Sequence, residues 1–320
     1  MVANGLDQRR LVADVGGTHT RIAVFDATSR SFEALGVYRN RQHSGLEEII
    51  ESWRREQQVA LPGTCCIAVA APPSDDIVRM SNIDWTFSCD DLAARFNLDR
   101  VSWLNDFQAN AYSLPYLEDK DLRLLHPGDP GTGGKLAIMG PGTGLGGAIL
   151  EQVNGQALAT TCEPGHMGLA PATAEDLALF ECLLPRYGEL HAERLVSGPG
   201  LLLLYQALAE LRGDRARAGT PDEVSGMALQ EGDELALEAM GRFCAFLGSA
   251  CGDFLLANGA YGGLYLAGGI LPGMWDFLRQ STFHQRLCDK GSMMKHLQVV
   301  PIYGITAAQP GLIGAAWAPL

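Results

Sequence analysis

One pattern occurs twice in this chain: a short apolar run, a turn rich in glycine, and a second apolar run. Residues 11–15 (LVADV) lead into Gly16-Gly17-Thr18, and residues 20–26 (TRIAVFD) then alternate in strand fashion. Residues 135–139 (KLAIM) lead into the glycine loop 140–147 (GPGTGLGG), and residues 148–153 continue as a strand. Glycine reaches positive φ and lets a backbone approach a ligand closely. Amides in such a turn can point at an anion. Each copy opens a series of strands and then helices, so the chain reads as two related α/β domains facing a cleft. Ligands of α/β folds bind beyond the C-terminal ends of the strands.

The elements between the two copies follow from pattern. Leu46, Ile49, Ile50 and Trp53 fall at helical spacing within 45–57. A buried strand is expected at 64–71, and Ser88 with Asp91 resembles a capping box before a helix at 89–96. Residues 101–104 form a strand ending at Asn105-Asp106, with a helix at 107–114 stopped by Pro115. A Gly/Pro-rich tract at 127–134 separates the halves. Asn154-Gly155 marks a hairpin. Thr173, Ser197 and Thr220 are expected caps of helices at 173–185, 199–212 and 220–230. A long apolar helix covers 233–257, strands are expected at 263–267 and 297–304, and Pro310 opens a last helix. The expected domains are 1–115 with 305–320, and 116–304.

Lys plus Arg number 24 and Asp plus Glu 37 in 320 residues, giving a net charge of −13. Such a chain repels nucleic acid and anionic membrane. Anionic ligands would then need backbone amides, helix ends or a cation. The eight cysteines show no CxxC pair. No apolar stretch reaches the roughly 18 residues of a membrane span. A reducing, cytoplasmic setting is expected.

Gly142, Gly144 and Gly147 match G-x-G-x-x-G, but a dinucleotide motif needs a helix after the loop. Here a hairpin follows. The protein-kinase signatures V-A-I-K, H-R-D and D-F-G are absent, and Lys135 does not stand in a P-loop. Two glycine turns between antiparallel strands remain. Thr18 and Thr143 add hydroxyls, and Asp14 stands where it could hold a hydrated Mg²⁺. Ordinary tight hairpins are the alternative.

Residues 14–26 (DVGGTHTRIAVFD) resemble the first phosphate loop of the actin-like, hexokinase and Hsp70 superfamily, and 140–150 (GPGTGLGGAIL) its second. LNDFQANAYSLP (104–115), EPGHMGLAP (163–171), HAERLVSGPGL (191–201) and GGLYLAGGI (262–270) narrow the resemblance to the bacterial glucokinase family, in its order and spacing. The resemblance implies two ribonuclease-H-like (actin-like ATPase) domains flanking a cleft, with ATP bound there beside glucose. It implies Asp106 as the base, and Asn105, Glu163, His166 and Glu193 as sugar-binding residues. Asp14, Gly16, Gly17, Thr18, Gly142, Thr143, Gly144, Gly268 and Gly269 would hold the nucleotide, with Mg²⁺ on Asp14 through water. A homodimer is also implied. The chain departs from the family's usual pattern at His19 (Asn), Pro164 (Gly) and Ala308-Gln309 (Asp-Asn).

Each residue keeps a second reading. Asn105-Asp106 could cap the helix that follows. Cys162 and His166 are typical zinc ligands. Glu193 could be a surface charge paired with Arg194. Gly268-Gly269 could be a plain strand-end turn. His126, His191, His284 and His296 have no constellation around them. The expected activity is transfer of phosphate from ATP to the 6-hydroxyl of glucose. A kinase for another hexose, a sugar-sensing relative and a sugar-independent ATPase are the alternatives. About ten residues precede the first strand, too few for the helix-turn-helix of a sensor.

Overall fold

The computed structural model describes residues 8–71, 77–80, 83–129 and 134–319. Part of the tract expected at 127–134, and most of the stretch ahead of the first strand, lie outside the described residues. The strands in chain order are β1 (Arg9–Val15), β2 (His19–Asp26), β3 (Ser31–Arg39), β4 (Thr64–Val69), β5 (Ile77–Arg79), β6 (Thr86–Ser88), β7 (Arg100–Asn105), β8 (Leu122–His126), β9 (Leu136–Pro141), β10 (Leu145–Val153), β11 (Gln156–Cys162), β12 (Gly263–Leu266) and β13 (Ile302–Ile305). The helices are α1 (Leu46–Gln57), α2 (Cys89–Phe96), α3 (Asp106–Ser113), α4 (Ala174–Tyr187), α5 (Ala192–Leu195), α6 (Gly198–Arg212), α7 (Pro221–Gly226), α8 (Glu234–Asn258), α9 (Trp275–Gln280), α10 (Phe283–Cys288), α11 (Met294–Leu297) and α12 (Pro310–Trp317). The chain divides into two compact units. One holds Met1–Leu117, Ala157–Thr161 and Ala307–Leu320; the other holds Glu118–Gln156 and Cys162–Thr306.

The first unit is built on a five-stranded sheet of order β3-β2-β1-β4-β7. β1, β2 and β3 form an antiparallel meander, whereas β1, β4 and β7 run parallel. β4 is buried along its whole length, as a central parallel strand must be. Leu11, Ala13 and Val15 of β1 join Ile49, Ile50 and Trp53 of α1 in one apolar cluster. Alternation sends Arg10, Val12 and Asp14 to the opposite face. There α12 lies antiparallel to β1. The fully buried Arg10 guanidinium donates to the carbonyls of Ala315, Ala316 and Ala318 at its C-terminal end. A Cβ on Gly311, in its first turn, would stand 3.0–3.1 Å from the Asp14 carboxyl group. A cation at the C-terminus and an acid at the N-terminus both match the helix dipole. Gly314 lets α12 sit on α3, since a Cβ there would overlap the Ala109 carbonyl.

The sheet strands that fall in the second unit run in the order β10-β9-β12-β13-β8. β9, β12 and β13 run parallel, with β10 and β8 antiparallel to their neighbours. Asn154 (φ 51°) and Gly155 (φ 79°) form the turn between β10 and β11, both at positive φ as a tight hairpin requires. α8 is long and apolar enough to cross a membrane by length and composition, but 78% of its apolar window is buried inside the unit. It is a core helix, apolar all round because it is surrounded. Gly248 and Gly252 bring it against α10, where a Cβ would meet the Phe283 and Leu287 carbonyls at 2.2 and 2.3 Å.

Thr173, Ser197 and Thr220 cap α4, α6 and α7 as their patterns predict. Three expectations change. The second glycine loop is a turn of only three residues, Gly142–Gly144, and Gly146 and Gly147 belong to β10. The helix expected over 220–230 continues beyond α7 as a π-helical stretch, Met227–Glu231. The strand expected over 297–304 begins only at Ile302, because 294–297 is helical. The pattern also missed β8 and α9–α11. LRLLH has no clean alternation, and none of these three short helices has a side-chain cap.

Candidate active site

In the first unit the candidate residues gather at the C-terminal edge of the sheet. Val15, Val69 and Asn105 lie in one row across β1, β4 and β7. Asp14 and Asp106 therefore flank the same edge, two strands apart. The turn after β1 is held shut by a hydrogen bond from the Gly16 N–H to the His19 carbonyl, 3.0 Å. Asn40, at the end of β3, is fully buried. Its side-chain amide donates to the Gly16 carbonyl at 2.7 Å and its oxygen accepts the Thr20 hydroxyl at 2.8 Å. Its own N–H donates to the Thr18 carbonyl at 2.9 Å. Sequence reasoning missed Asn40, because its side-chain partners are 20 and 24 residues away.

The Asp14 carboxyl is pushed above the ordinary carboxylate range by burial; Arg21, 3.7 Å away, opposes the shift. Among the described residues no group of three or more His, Cys, Asp or Glu is placed to hold a metal ion. A divalent ion at Asp14 would therefore rest on one carboxylate, water and ligand phosphates. That donor set fits Mg²⁺, which keeps its waters.

Asn105 and Asp106 stand at the start of α3. Asn105 is the cap: its oxygen accepts the N–H groups of Phe107 (2.9 Å) and Gln108 (3.3 Å). Its amide donates to the Ala71 carbonyl at 2.9 Å, two residues beyond β4. Asp106 follows as the first residue of α3, with one oxygen 2.9 Å from the Phe107 nitrogen. The rigid cap fixes the direction of the neighbouring carboxylate.

In the second unit the Gly142 N–H donates to the Gly144 carbonyl at 2.7 Å, and the Gly142 carbonyl accepts from Gly198, at the start of α6, at 2.8 Å. Thr143 is exposed at the turn's tip. Glu193, on α5, accepts the Leu145 N–H at 2.8 Å. No ion pair joins it to Arg194 among the described residues; that guanidinium lies over the Tyr187 ring at 4.9 Å. A Cβ on Gly165 would meet Glu193 at 3.2 Å, so Glu193 is wedged between the glycine turn and the loop of Glu163 and His166. Glu163 and His166 are both exposed. Between them Pro164 packs where a Cβ on Gly147 would stand 2.7 Å away, which shows why proline fits here. His191 does have a constellation. Its Nδ1 lies 3.0 Å from the Gly165 carbonyl and its ring 5.3 Å from that of His166.

Burial first, and then the Glu163 charge, push the Cys162 thiol up. Gly268 (φ +102°) follows β12, and a Cβ there would strike the Pro141 carbonyl at 2.2 Å. This close crossing sets Gly268-Gly269 beside the start of the Gly142 turn, and a Cβ on Gly269 would meet nothing. The unit thus collects Gly142–Gly144, Gly268, Gly269, Glu193 and the Glu163–His166 loop at one edge of its sheet.

Two sheets, each opened by an antiparallel hairpin with a glycine turn and continued by parallel strands, define the actin-like ATPase fold in its sugar-kinase form. The glucokinase family model matches residues 11–319. The glucokinase of Aromatoleum aromaticum is 38% identical over 310 residues, covering 97% of this chain and 94% of the relative. The crystal structure of a glucokinase from an Antarctic psychrotroph superposes with a TM-score of 0.89 at 33% identity, covering 98% of this chain and 99% of the other. A ROK-family glucokinase from Streptomyces griseus, in complex with glucose and AMPPNP, shares the fold at 18% identity, with a TM-score of 0.64 and coverage of 96% and 98%. The chain belongs to the glucokinase family.

Proposed function

We propose that this chain is an ATP-dependent glucokinase, transferring the γ-phosphoryl group of ATP to the 6-hydroxyl of glucose. The family match over almost the whole chain supports both the reaction and the sugar. The observation that supports the chemistry is at the end of β7, where Asn105 caps α3 and the carboxylate of Asp106, the first helical residue, is the proposed base. Phosphoryl transfer needs an aligned acceptor, neutralised phosphates and a proton acceptor. Asp106 takes the proton of the 6-hydroxyl as its oxygen attacks phosphorus and ADP leaves. Asn105, Glu163, His166 and Glu193 bind sugar hydroxyls; a carboxylate can accept two neighbouring ones.

Gly16-Gly17-Thr18 and Gly142-Thr143-Gly144 take the phosphates through backbone amides and hydroxyls. Gly268 and Gly269 approach the adenosine part. Mg²⁺ neutralises charge on the transferred phosphate when bound, and Asp14 would hold it through water. The expected homodimer and cytoplasmic location belong to the same reading, and light scattering checks the first.

A coupled ADP-release assay across hexoses tests the function. Glucose should give the highest kcat/KM. A preference for another hexose would transfer the reading to that sugar, and ADP release independent of sugar would replace it with an ATPase.

A further inference from the structure

A hollow of about 470 Å³ lies beside the first glycine turn, lined by Thr18, His19, Arg39, Arg41 and Gln42. Every lining side chain is polar, two are guanidinium groups, and none is acidic. His19 and Arg39 are cross-strand partners on β2 and β3, so imidazole and guanidinium stand side by side. Among the described residues no carboxylate lies within ion-pair distance of His19, Arg39 or Arg41, although ten other arginines are paired with acids.

The backbone that carries the two arginines is clamped to the turn. Asn40 lies between the two arginines, fully buried, with its side chain bonded to the Gly16 carbonyl and the Thr20 hydroxyl. Its N–H to the Thr18 carbonyl ties the end of β3 to the turn. Arg39 and Arg41 are thereby held on either side of one clamped residue. Guanidinium groups match the geometry of phosphate oxygens and bond them in forked fashion.

We infer that this hollow is an anion subsite that takes a phosphate group. The phosphate has two possible sources: the phosphoryl donor itself, whose phosphates the adjoining turn is proposed to hold, or a separate phosphate ester. The subsite does not depend on the glucokinase reading, because its contacts all come from residues 16–42.

Inorganic tripolyphosphate is the probe. Calorimetric titration of the wild-type protein and of the R39Q/R41Q variant, both checked for unchanged melting, should show binding at least about tenfold weaker in the variant. Wild-type binding should weaken as salt rises. Equal affinity in the two proteins, or no binding to the wild type, overturns the subsite. Repeating the titration with ATP identifies the source. Mutual exclusion together with a raised ATP KM in R39Q/R41Q assigns the hollow to the donor's phosphates; simultaneous binding with unchanged ATP KM assigns it to a separate ester. A wild-type protein that binds tripolyphosphate through these arginines yet fails to phosphorylate glucose would refute the function and keep the subsite.

Discussion

The Glu193 carboxylate accepts the backbone N–H of Leu145 at 2.8 Å, so a residue expected at the sugar also fixes the end of the second glycine turn. Glu193→Ala leaves that N–H unpaired, at a cost of about 1–3 kcal/mol if it stays buried. It should raise KM for both glucose and ATP and lower Tm. Glu193→Gln retains an acceptor and should chiefly raise the glucose KM. Kinetics and melting of the pair check this; an alanine variant with a normal ATP KM would uncouple the turn from Glu193.

Asp106→Asn keeps the size of the side chain and removes the proton acceptor. General-base help is typically worth ~10²–10⁴ in rate. We expect kcat to fall at least ~10²-fold, with Tm and glucose affinity retained. Steady-state kinetics and glucose calorimetry together decide; near-normal kcat would exclude Asp106 as base.

Glycine substitutions in the second turn should separate by position. A Cβ on Gly142 meets nothing within 4 Å, whereas one on Gly144 stands 2.5 Å from a Glu193 oxygen. Gly142→Ala should keep Tm and glucose binding while weakening ATP. Gly144→Val should weaken both ligands, because it also displaces Glu193. Calorimetry with each ligand alone is the test, and an ATP affinity unaltered by Gly142→Ala would remove this turn from the nucleotide site.

Asp14 should cost stability at neutral pH. Burial raises its carboxyl above the ordinary value of 3.8, so the fold favours the protonated acid. Its stabilising contribution is present below that value and is lost as pH rises through the folded-state value. Asp14→Asn should therefore raise Tm at pH 7, with the gain vanishing below about pH 3.8. Activity should fall. Calorimetric scans across pH check the sign, and a variant less stable at neutral pH would contradict it.

His284 should make the fold acid-sensitive in the opposite sense. It stacks on His126 with ring centres 3.5 Å apart. Burial first, and then the neighbouring His126, lower its pKa from 6.5 to about 4. A depressed histidine contributes stability above 6.5 that is lost as pH falls towards 4. His284→Phe should flatten the decline of Tm in that window. Equal slopes in variant and wild type would count against this pair as its source.

The repeat of strand, glycine turn and strand, the hairpin at Asn154-Gly155 and the caps at Thr173, Ser197 and Thr220 were all legible in the sequence. Each is local chemistry, decided by residues within a few positions of one another. The short motif blocks likewise carried the family, because their order along the chain needs no coordinates.

Other features depended on partners distant in sequence. That Asn105 holds the cap position, with Asp106 as the first helical residue, was decided by the path of the backbone at the end of β7, a choice both residue types allow. Asn40 clamps a turn 24 residues away, and Arg10 caps a helix about 305 residues away. No periodicity announces either. Glu193 is neither an exposed charge nor Arg194's partner, because tertiary packing brings it to an N–H that β10 leaves unpaired at its first residue. Sequence alone determined most of the longer elements and which residue types are available for catalysis. The tertiary structure decided which of those polar groups are spent in holding the turns, because a hydrogen bond between remote segments exists only once the chain has brought them together.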